Sequence, residues 1–313
     1  MTYMRDLMHN HPMTLSDAEA ERLALQLESH ANYRVLRRIN PTTAFPPSDG
    51  RALLKGVIVD TETTGLSHDV DRIIEIGLLV FEYDPHTGQV CRVVASYGGL
   101  EDPGCAISDE ISAITGITTA MVAGQAISDA RVNELVEEAS IVIAHNAKFD
   151  RPFLEKRFPI FEQIPWGCSL AQVDWAHEGF SARKLDVVAA QFGYFFDAHR
   201  AEADCMALLT ILQQTLPKSG VNVLKVVLDQ LSLEDWTIFA LAASFAKKEV
   251  LKARRYQWDS GRKAWCYSVH DRAGVDAEVA WLKAVIYEGR GAEPAIERCD
   301  ALRRFSARPV VYP

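Results

Sequence analysis

The sequence has 313 residues, with 33 basic against 42 acidic side chains for a formal net charge of −9, and is 48% hydrophobic and 24% charged. At roughly 150 residues per domain, that length suits two domains or one large domain with appendages; the apolar share can bury a sizeable core and excludes global disorder and fibrous folds. No stretch approaches the roughly 18 uninterrupted apolar residues of a membrane span, and Met1 to Asn10 lacks the apolar core of a signal peptide, so a soluble cytoplasmic protein with no membrane partner is expected. The acidic balance argues at first sight against a nucleic-acid partner, whose phosphates favour a basic surface. Six cysteines, at 91, 105, 168, 205, 266 and 299, form no C-x-x-C pair and read as buried or free thiols in a reducing compartment.

Along the chain, Ser16 to Arg38 predicts one helix, followed by a Pro, Ser and Gly-rich linker through Asn40-Pro41 and Phe45-Pro46-Pro47-Ser48-Asp49-Gly50. From Lys55 the pattern changes to short apolar runs, Gly56 to Val59, Ile73 to Phe81 and Val90 to Ser96, which predict a three-strand meander. A helix near Ser128 to Ala139, a buried strand Ile141 to Ala144 and a helix through Phe153 to Arg157 then alternate, and further helices are expected near Leu185 to Phe192 and Glu202 to Leu216. Pro217-Lys218-Ser219-Gly220 marks a boundary, so the expected units are 1–50, 51–217 and 218–313. The last unit predicts helices over Val223 to Leu231 and Leu233 to Ala253, a hairpin turning at Asp259-Ser260-Gly261-Arg262, and a packing helix over Asp276 to Tyr287.

Three segments carry candidate chemistry. Val57-Ile58-Val59-Asp60-Thr61-Glu62 ends a buried strand with carboxylates at i and i+2, which alternation turns to one face. Two carboxylates that close repel unless a cation sits between them. Ile141-Val142-Ile143-Ala144-His145-Asn146-Ala147-Lys148-Phe149-Asp150 leads another apolar strand into a helix bearing Asp150, whose local explanation is attraction to the helix dipole. His199-Arg200-Ala201-Glu202-Ala203-Asp204 opens an apolar helix. On one continuous helix His199 and Asp204 stand about 140° apart, so joint action requires His199 in the preceding loop. Four acids and one histidine at strand ends and helix starts are the equipment for two-metal phosphodiester hydrolysis. Oxygen ligands suit Mg2+ or Mn2+ as a pair about 3.5–4 Å apart, and an imidazole is the natural base for the attacking water.

These segments resemble the three motifs of the DEDDh family of 3′-to-5′ exonucleases, whose members include RNase T and the proofreading epsilon subunits of bacterial DNA polymerase III. The likeness covers about residues 55 to 216 and rests on Asp-Thr-Glu-Thr-Thr-Gly, His-Asn-Ala-x-Phe-Asp and His-x-x-x-x-Asp. Ile114-Thr115-Gly116-Ile117-Thr118 through Gly124, and Lys184-Leu185-Asp186, add to it. The resemblance implies an α/β, RNase H-like mixed five-stranded sheet flanked by helices; residues 1–50 and 218–313 lie outside it, and their own patterns predict an N-terminal helical extension and a small α+β C-terminal domain. It implies that Asp60, Glu62 and Asp204 hold one cation, that Asp60 also bridges to a second near Asp150, and that His199 is the general base. Thr61, Thr63 and Leu66 would line the pocket for the 3′-terminal nucleotide, with His145, Asn146 and Phe149 at its floor. The implied activity is release of nucleoside monophosphates from single-stranded DNA 3′ ends, in proofreading or repair. An RNA-trimming exonuclease of the RNase T type shares these motifs, since contacts to the 2′-hydroxyl are not among them. A non-catalytic nucleic-acid-binding or polymerase-associated module is the reading of another class; decay of the acids or histidine would mark it, and all five are present.

Two flanking signals are weaker. Residues 247–272 carry a local charge of +5 with interleaved Tyr256, Trp258, Trp265 and Tyr267. These aromatics suit either base stacking or, as favoured here, the buried face of a small sheet covered by Trp281 and Ile286. Gln230-Leu231-Ser232-Leu233 resembles the start of a sliding-clamp docking peptide with Glu234 in place of the aromatic, while Ser232-x-x-Asp235 also reads as the capping box of a following helix.

Overall fold

The structure is a computed structural model that describes residues 15–40, 45–46, 50–233, 235–259, 262–269 and 271–308. Pro41, Pro47 to Asp49, Glu234 and the Ser260-Gly261 turn lie outside the described residues. Helix α1 (Asp17–Glu28) starts at a capping box in which Ser16 Oγ accepts from Glu19 N and the Glu19 carboxylate accepts from Ser16 N. It ends ten residues before the expected Arg38. Strand β1 (Arg37–Arg38) instead pairs in parallel with Tyr194 and Phe195, Arg37 bridges back to Glu21 and Glu28, and Ile39 packs on the central core. Local helix propensity yields here to pairing with a segment far along the chain.

Strands β2 (Leu54–Thr63), β3 (Ile73–Tyr83) and β4 (Val90–Leu100) form the antiparallel meander. Short helices α2 (Asp109–Thr115), α3 (Thr119–Val122) and α4 (Asp129–Val136) lead to β5 (Ile141–Ala144), which joins β2 in parallel. Helix α5 (Ala147–Arg157) follows, then β6 (Trp166–Cys168), α6 (Ser169–Gln172), α7 (Leu185–Gln191), β7 (Tyr194–Phe195) and α8 (Ala201–Leu212). The five-stranded order is β4-β3-β2-β5-β6, the mixed sheet that the resemblance implies. Ile58 and Ile143 pack with α7 and α8, whereas Val57, Val59 and Val142 pack with α4 and α5. Because β2 is sandwiched on both sides, its alternation assigns even positions to the α8 layer and odd positions to the α5 layer. A one-residue slip would exchange them.

Helix α9 (Val223–Asp229) packs Val223, Leu224 and Val227 against the same core as α8. Strand β8 (Asp235–Ala240), helix α10 (Lys248–Ala253), β9 (Gln257–Asp259), β10 (Ala264–Val269), helix α11 (Arg272–Trp281) with a π-turn to Ile286, and β11 (Ala295–Cys299) form the C-terminal unit. Its antiparallel order is β11-β8-β10-β9. The helix expected over Leu233 to Ala253 is corrected here: Trp236, Thr237, Ile238 and Phe239 make a central strand, hydrogen-bonded on both edges, as suits β-branched and aromatic side chains. The capping box at Ser232 falls with it, since Asp235 pairs with Arg304 and Ser232 Oγ donates to the Asp229 carbonyl. Arg304 also donates to the carbonyls of Gln230 and Leu233, fastening the clamp-like peptide into a turn.

Tyr256 stacks on Tyr267 and Trp281 inside this unit, as the favoured packing reading expects, while Trp258 stays exposed. The local +5 is largely offset by acids from outside or beside it: Arg254 pairs with Glu278, Lys247 with Glu288, Arg262 with Glu297 and Arg272 with Asp276. Among the described residues, no helix is long and apolar enough to cross a membrane.

One close approach sets the position of α8. Gly77 on β3 stands opposite Asp60 on β2 and Gly98 on β4. A Cβ on Gly77 would come within 2.4 Å of the Ala201 carbonyl, and one on Gly98 within 2.4 Å of the Glu202 carboxylate. The paired glycines form a notch that seats the first turn of α8 on the sheet. Gly77→Ala should therefore destabilise the protein by about 1–3 kcal/mol through overpacking, read as a lower melting temperature, and should displace Asp204. An unchanged melting temperature would show that α8 has room to spare.

Candidate metal centre and active site

The even positions of β2 bring Asp60 and Glu62 to the α8 side, where Asp204 stands in the first turn of α8. One oxygen from each of the three carboxylates lies within 4.8 Å of the others. Asp150 arrives from α5 on the opposite layer and meets the odd position: its Oδ1 accepts from Thr61 N at 3.1 Å and from Thr61 Oγ1 at 2.9 Å, and the residue is 3% exposed. Thr61 thus fixes the fourth acid beside the other three.

The electrostatics follow from crowding. Burial, then the charges of Asp150, Asp204 and Glu62, raises the Asp60 carboxyl well above its ordinary range. Burial, then Asp204 and Glu75, pushes Glu62 up to about 7. Burial raises Asp150 to about 7 against the pull of its Thr61 hydrogen bonds, and raises Asp204 to about 6 against the Arg200 N–H and nearby His199. Four acids that resist ionisation together, offering oxygen donors alone, fit hard divalent cations such as Mg2+ or Mn2+, whose charge would relieve the repulsion.

His199 precedes α8 in the loop, as joint action with Asp204 requires, and is exposed with φ +67, a left-handed backbone that costs a non-glycine residue about 1–2 kcal/mol. Two contacts hold this turn. Arg200 N donates to Asp204 Oδ2 at 3.1 Å, and the Arg200 guanidinium pairs with Glu75 at 2.9 Å. Glu75, 5% exposed and opposite Glu62 in register, also accepts from Ala201 N at 3.0 Å. Sequence reasoning passed over Glu75. Its signal was an acid inside the otherwise apolar run Ile73 to Phe81, which demands a buried partner.

The expected substrate residues divide. Leu66 is 86% exposed, in a loop that Asp71 braces through Thr64 Oγ1 and Ser67 N and that Lys156 holds at the His68 and Asp69 carbonyls. Thr63 Oγ1 donates to the Gly65 carbonyl. Asn146 is exposed with φ +128, and Phe149 is half-buried against Phe153. His145 differs, because both ring nitrogens are engaged within the protein: Nε2 lies 2.8 Å from the Arg183 carbonyl and Nδ1 2.7 Å from Ser169 Oγ. A carbonyl only accepts, so Nε2 carries the proton and Ser169 donates to Nδ1. Burial lowers the His145 pKa to about 4, which keeps the ring neutral.

The sequence profile described as Exonuclease, of the RNase T family, matches residues 57–212. DNA polymerase III subunit epsilon of Treponema pallidum (strain Nichols) is 34% identical over 169 residues, covering 49% of this chain and 74% of that protein. DNA polymerase III PolC-type of Clostridium perfringens (strain 13 / Type A) is 32% identical over 174 residues, covering 52% of this chain but 11% of that protein. Among solved structures, exonuclease X in complex with 5′-overhanging duplex DNA aligns with a TM-score of 0.39 at 24% identity, over 54% of this chain and 99% of that one.

The crowded acids make stability depend on pH in a definite direction. Their folded pKa values lie above the ordinary carboxylate values of 3.8 and 4.5. The folded state therefore binds protons more tightly than the unfolded chain, and the associated stability is lost as pH rises through about 6 to 7. In chelator, the melting temperature of Asp60→Asn should exceed that of the parent by a margin that widens with pH between about 5 and 8. Mn2+ should close the gap by stabilising the parent. A margin independent of pH and of Mn2+ would contradict this electrostatic account.

Proposed function

The chain belongs to the RNase T exonuclease family, and on that footing we propose that it is a divalent-cation-dependent 3′-to-5′ exonuclease releasing nucleoside monophosphates from single-stranded DNA ends. The observation that carries the reading is the convergence of Asp60, Glu62 and Asp204 within 4.8 Å, with Asp150 alongside and His199 in the turn before Asp204. Asp60, Glu62 and Asp204 would hold one Mg2+ or Mn2+, and Asp60 with Asp150 a second. When bound, such cations polarise the scissile phosphate and offset the charge that builds on its oxygens.

The chain's own groups supply the rest. His199 takes the proton from the attacking water: it stands in the turn before Asp204, near enough to favour that carboxylate's ionised form, and the Glu75–Arg200 pair holds the residue that follows it. Thr61 orients Asp150 through two hydrogen bonds. Leu66, exposed on its braced loop, offers an apolar surface to the terminal base, with Thr63, Asn146 and Phe149 completing the pocket. Neutral His145 supports the pocket floor by tying Ser169 to the Arg183 carbonyl. The unit spanning 51–217 would carry the chemistry, and the flanks 1–50 and 218–313 would set partners. DNA is the favoured substrate because relatives are named as DNA polymerase III subunit epsilon and DNA polymerase III PolC-type. We extend this reading to a role in the cytoplasm beside a polymerase, in proofreading or repair; the likeness to DNA polymerase III proteins supports the polymerase association.

Matched DNA and RNA oligonucleotides labelled at the 5′ end should be shortened stepwise from the 3′ end with Mg2+ or Mn2+, DNA faster than RNA. Faster RNA trimming would transfer the reading to an exoribonuclease. His199→Ala should lower turnover by about 10²–10⁴, the usual loss for a general base, while Mn2+ binding persists. Unchanged turnover would remove His199 from its role, and DNA binding with hydrolysis no faster than that of Asp60→Ala would make the protein a non-catalytic module.

A further inference from the structure

The helix that carries Asp150 is poorly supported by its own sequence. Asn146 begins α5 at φ +128 and its side chain makes no capping bond, and Pro152 lies inside the helix. Proline lacks the N–H that would bond to the carbonyl four residues back, here that of Lys148. The first turns of α5 therefore depend on outside contacts. In front, Asp150 is held by Thr61. Behind, the next residue makes the densest polar contact set on the helix.

Arg151 is fully buried, with 0% exposure. Its Nε donates to Glu155 Oε1 at 2.7 Å, Nη1 to the Arg304 and Ala301 carbonyls at 2.7 and 3.2 Å, and Nη2 to the Leu302 carbonyl at 2.6 Å. The acceptors other than Glu155 all belong to the strap 300–308 that follows β11. Glu155 reaches the same strap, accepting from Ser306 Oγ at 2.6 Å and pairing with Arg308 at 3.2 Å. Arg151 and Glu155 lie about 40° apart on the helix and about 100–140° round from Asp150. One side of α5 thus serves the acidic cluster while another grips the strap.

The strap is itself anchored at both ends. The Ala301 carbonyl accepts from Trp166 N on the edge strand β6, and Phe305 packs against the core shared by α4 and α5. Arg304 runs the other way to Asp235 and the Gln230 and Leu233 carbonyls at the base of the C-terminal sheet. A guanidinium offers a rigid fork of donors, so several carbonyls held at once fix position as well as distance.

We infer that the strap 300–308 is a working part of the active site: through the positioning residue Arg151 it holds α5 so that Asp150 keeps the place a second divalent cation needs. This rests on the proposed cation-dependent nuclease reading, and it places part of the site's support about 150 residues along the chain from the acid it serves. The arrangement matters because a supporting contact one step behind a ligand commonly changes cation affinity by about 10–100-fold when removed.

The test is Mn2+ binding, followed by electron paramagnetic resonance and calorimetry on the full chain, well below the melting temperature of each variant. Arg151→Met should weaken the second of two Mn2+ sites by about 10-fold or more, leave the first within about 3-fold, and lower kcat with little change in KM. Arg151→Lys should recover only part of the loss, because an ammonium lacks the planar fork. If Arg151→Met does not fold, Ser306→Ala, which removes one hydroxyl from Glu155 and leaves the buried guanidinium in place, should weaken the second site by about 2–10-fold. Two wild-type sites left unchanged by the folded variants, whatever their melting temperatures, would overturn the strap's role alone. A wild-type chain that binds no Mn2+ would sink the cation-site reading and this inference with it.

Discussion

Mutual repulsion among Asp60, Glu62, Asp150 and Asp204 is the constraint around which the fold is arranged. Burial removes the water that would screen these carboxylates, and Asp150 and Asp204 further raise the proton affinity of Asp60 and Glu62. A chain free to relax would move them apart. The surrounding contacts prevent this, so the cluster persists as a concentrated set of oxygen donors that a divalent cation can neutralise. Under the proposed reading, net charge is the wrong scale on which to judge affinity for phosphates, since a cluster loaded with divalent cations would attract them.

The acids are secured in three different ways. The period of β2 sends Asp60 and Glu62 to one layer and Thr61 to the other, where Thr61 captures Asp150. The Gly77 and Gly98 notch lets α8 approach closely enough to present Asp204, and Glu75 ties the start of that helix to β3 through Arg200 and the Ala201 N–H. On the far side of α5, the buried Arg151 reaches out to the carbonyls of the C-terminal strap. The flanks are therefore in physical contact with the unit that holds the four acids, with β1 paired to β7 on one flank and the strap gripping α5 on the other.

What could be read from the sequence was whatever local periodicity determines. The facing of Asp60 and Glu62 follows from alternation along β2, and the placement of His199 outside α8 follows from helical geometry. The meander and the strand–helix alternation rest on the same patterns. What could not be read depends on distant partners. Glu75 meets Arg200 across 125 positions, and Arg151 meets Ala301 across 150. Strand β8 was mistaken for helix because only its neighbours β10 and β11 make that segment extended. The +5 of residues 247–272 is legible in the sequence, but the fold alone brings Glu278, Glu288 and Glu297 beside it. His145 sits in a motif yet serves the framework, which only its contacts with Ser169 and Arg183 reveal.

Anomalous diffraction from crystals of the full chain grown with Mn2+ bears most directly on the central claim, that these four carboxylates are held together as a divalent-cation site. Strong manganese peaks should lie bracketed by Asp60, Glu62, Asp150 and Asp204, with the positions of β2, α5 and α8 retained. Absence of manganese among these residues at a concentration that supports hydrolysis would contradict it.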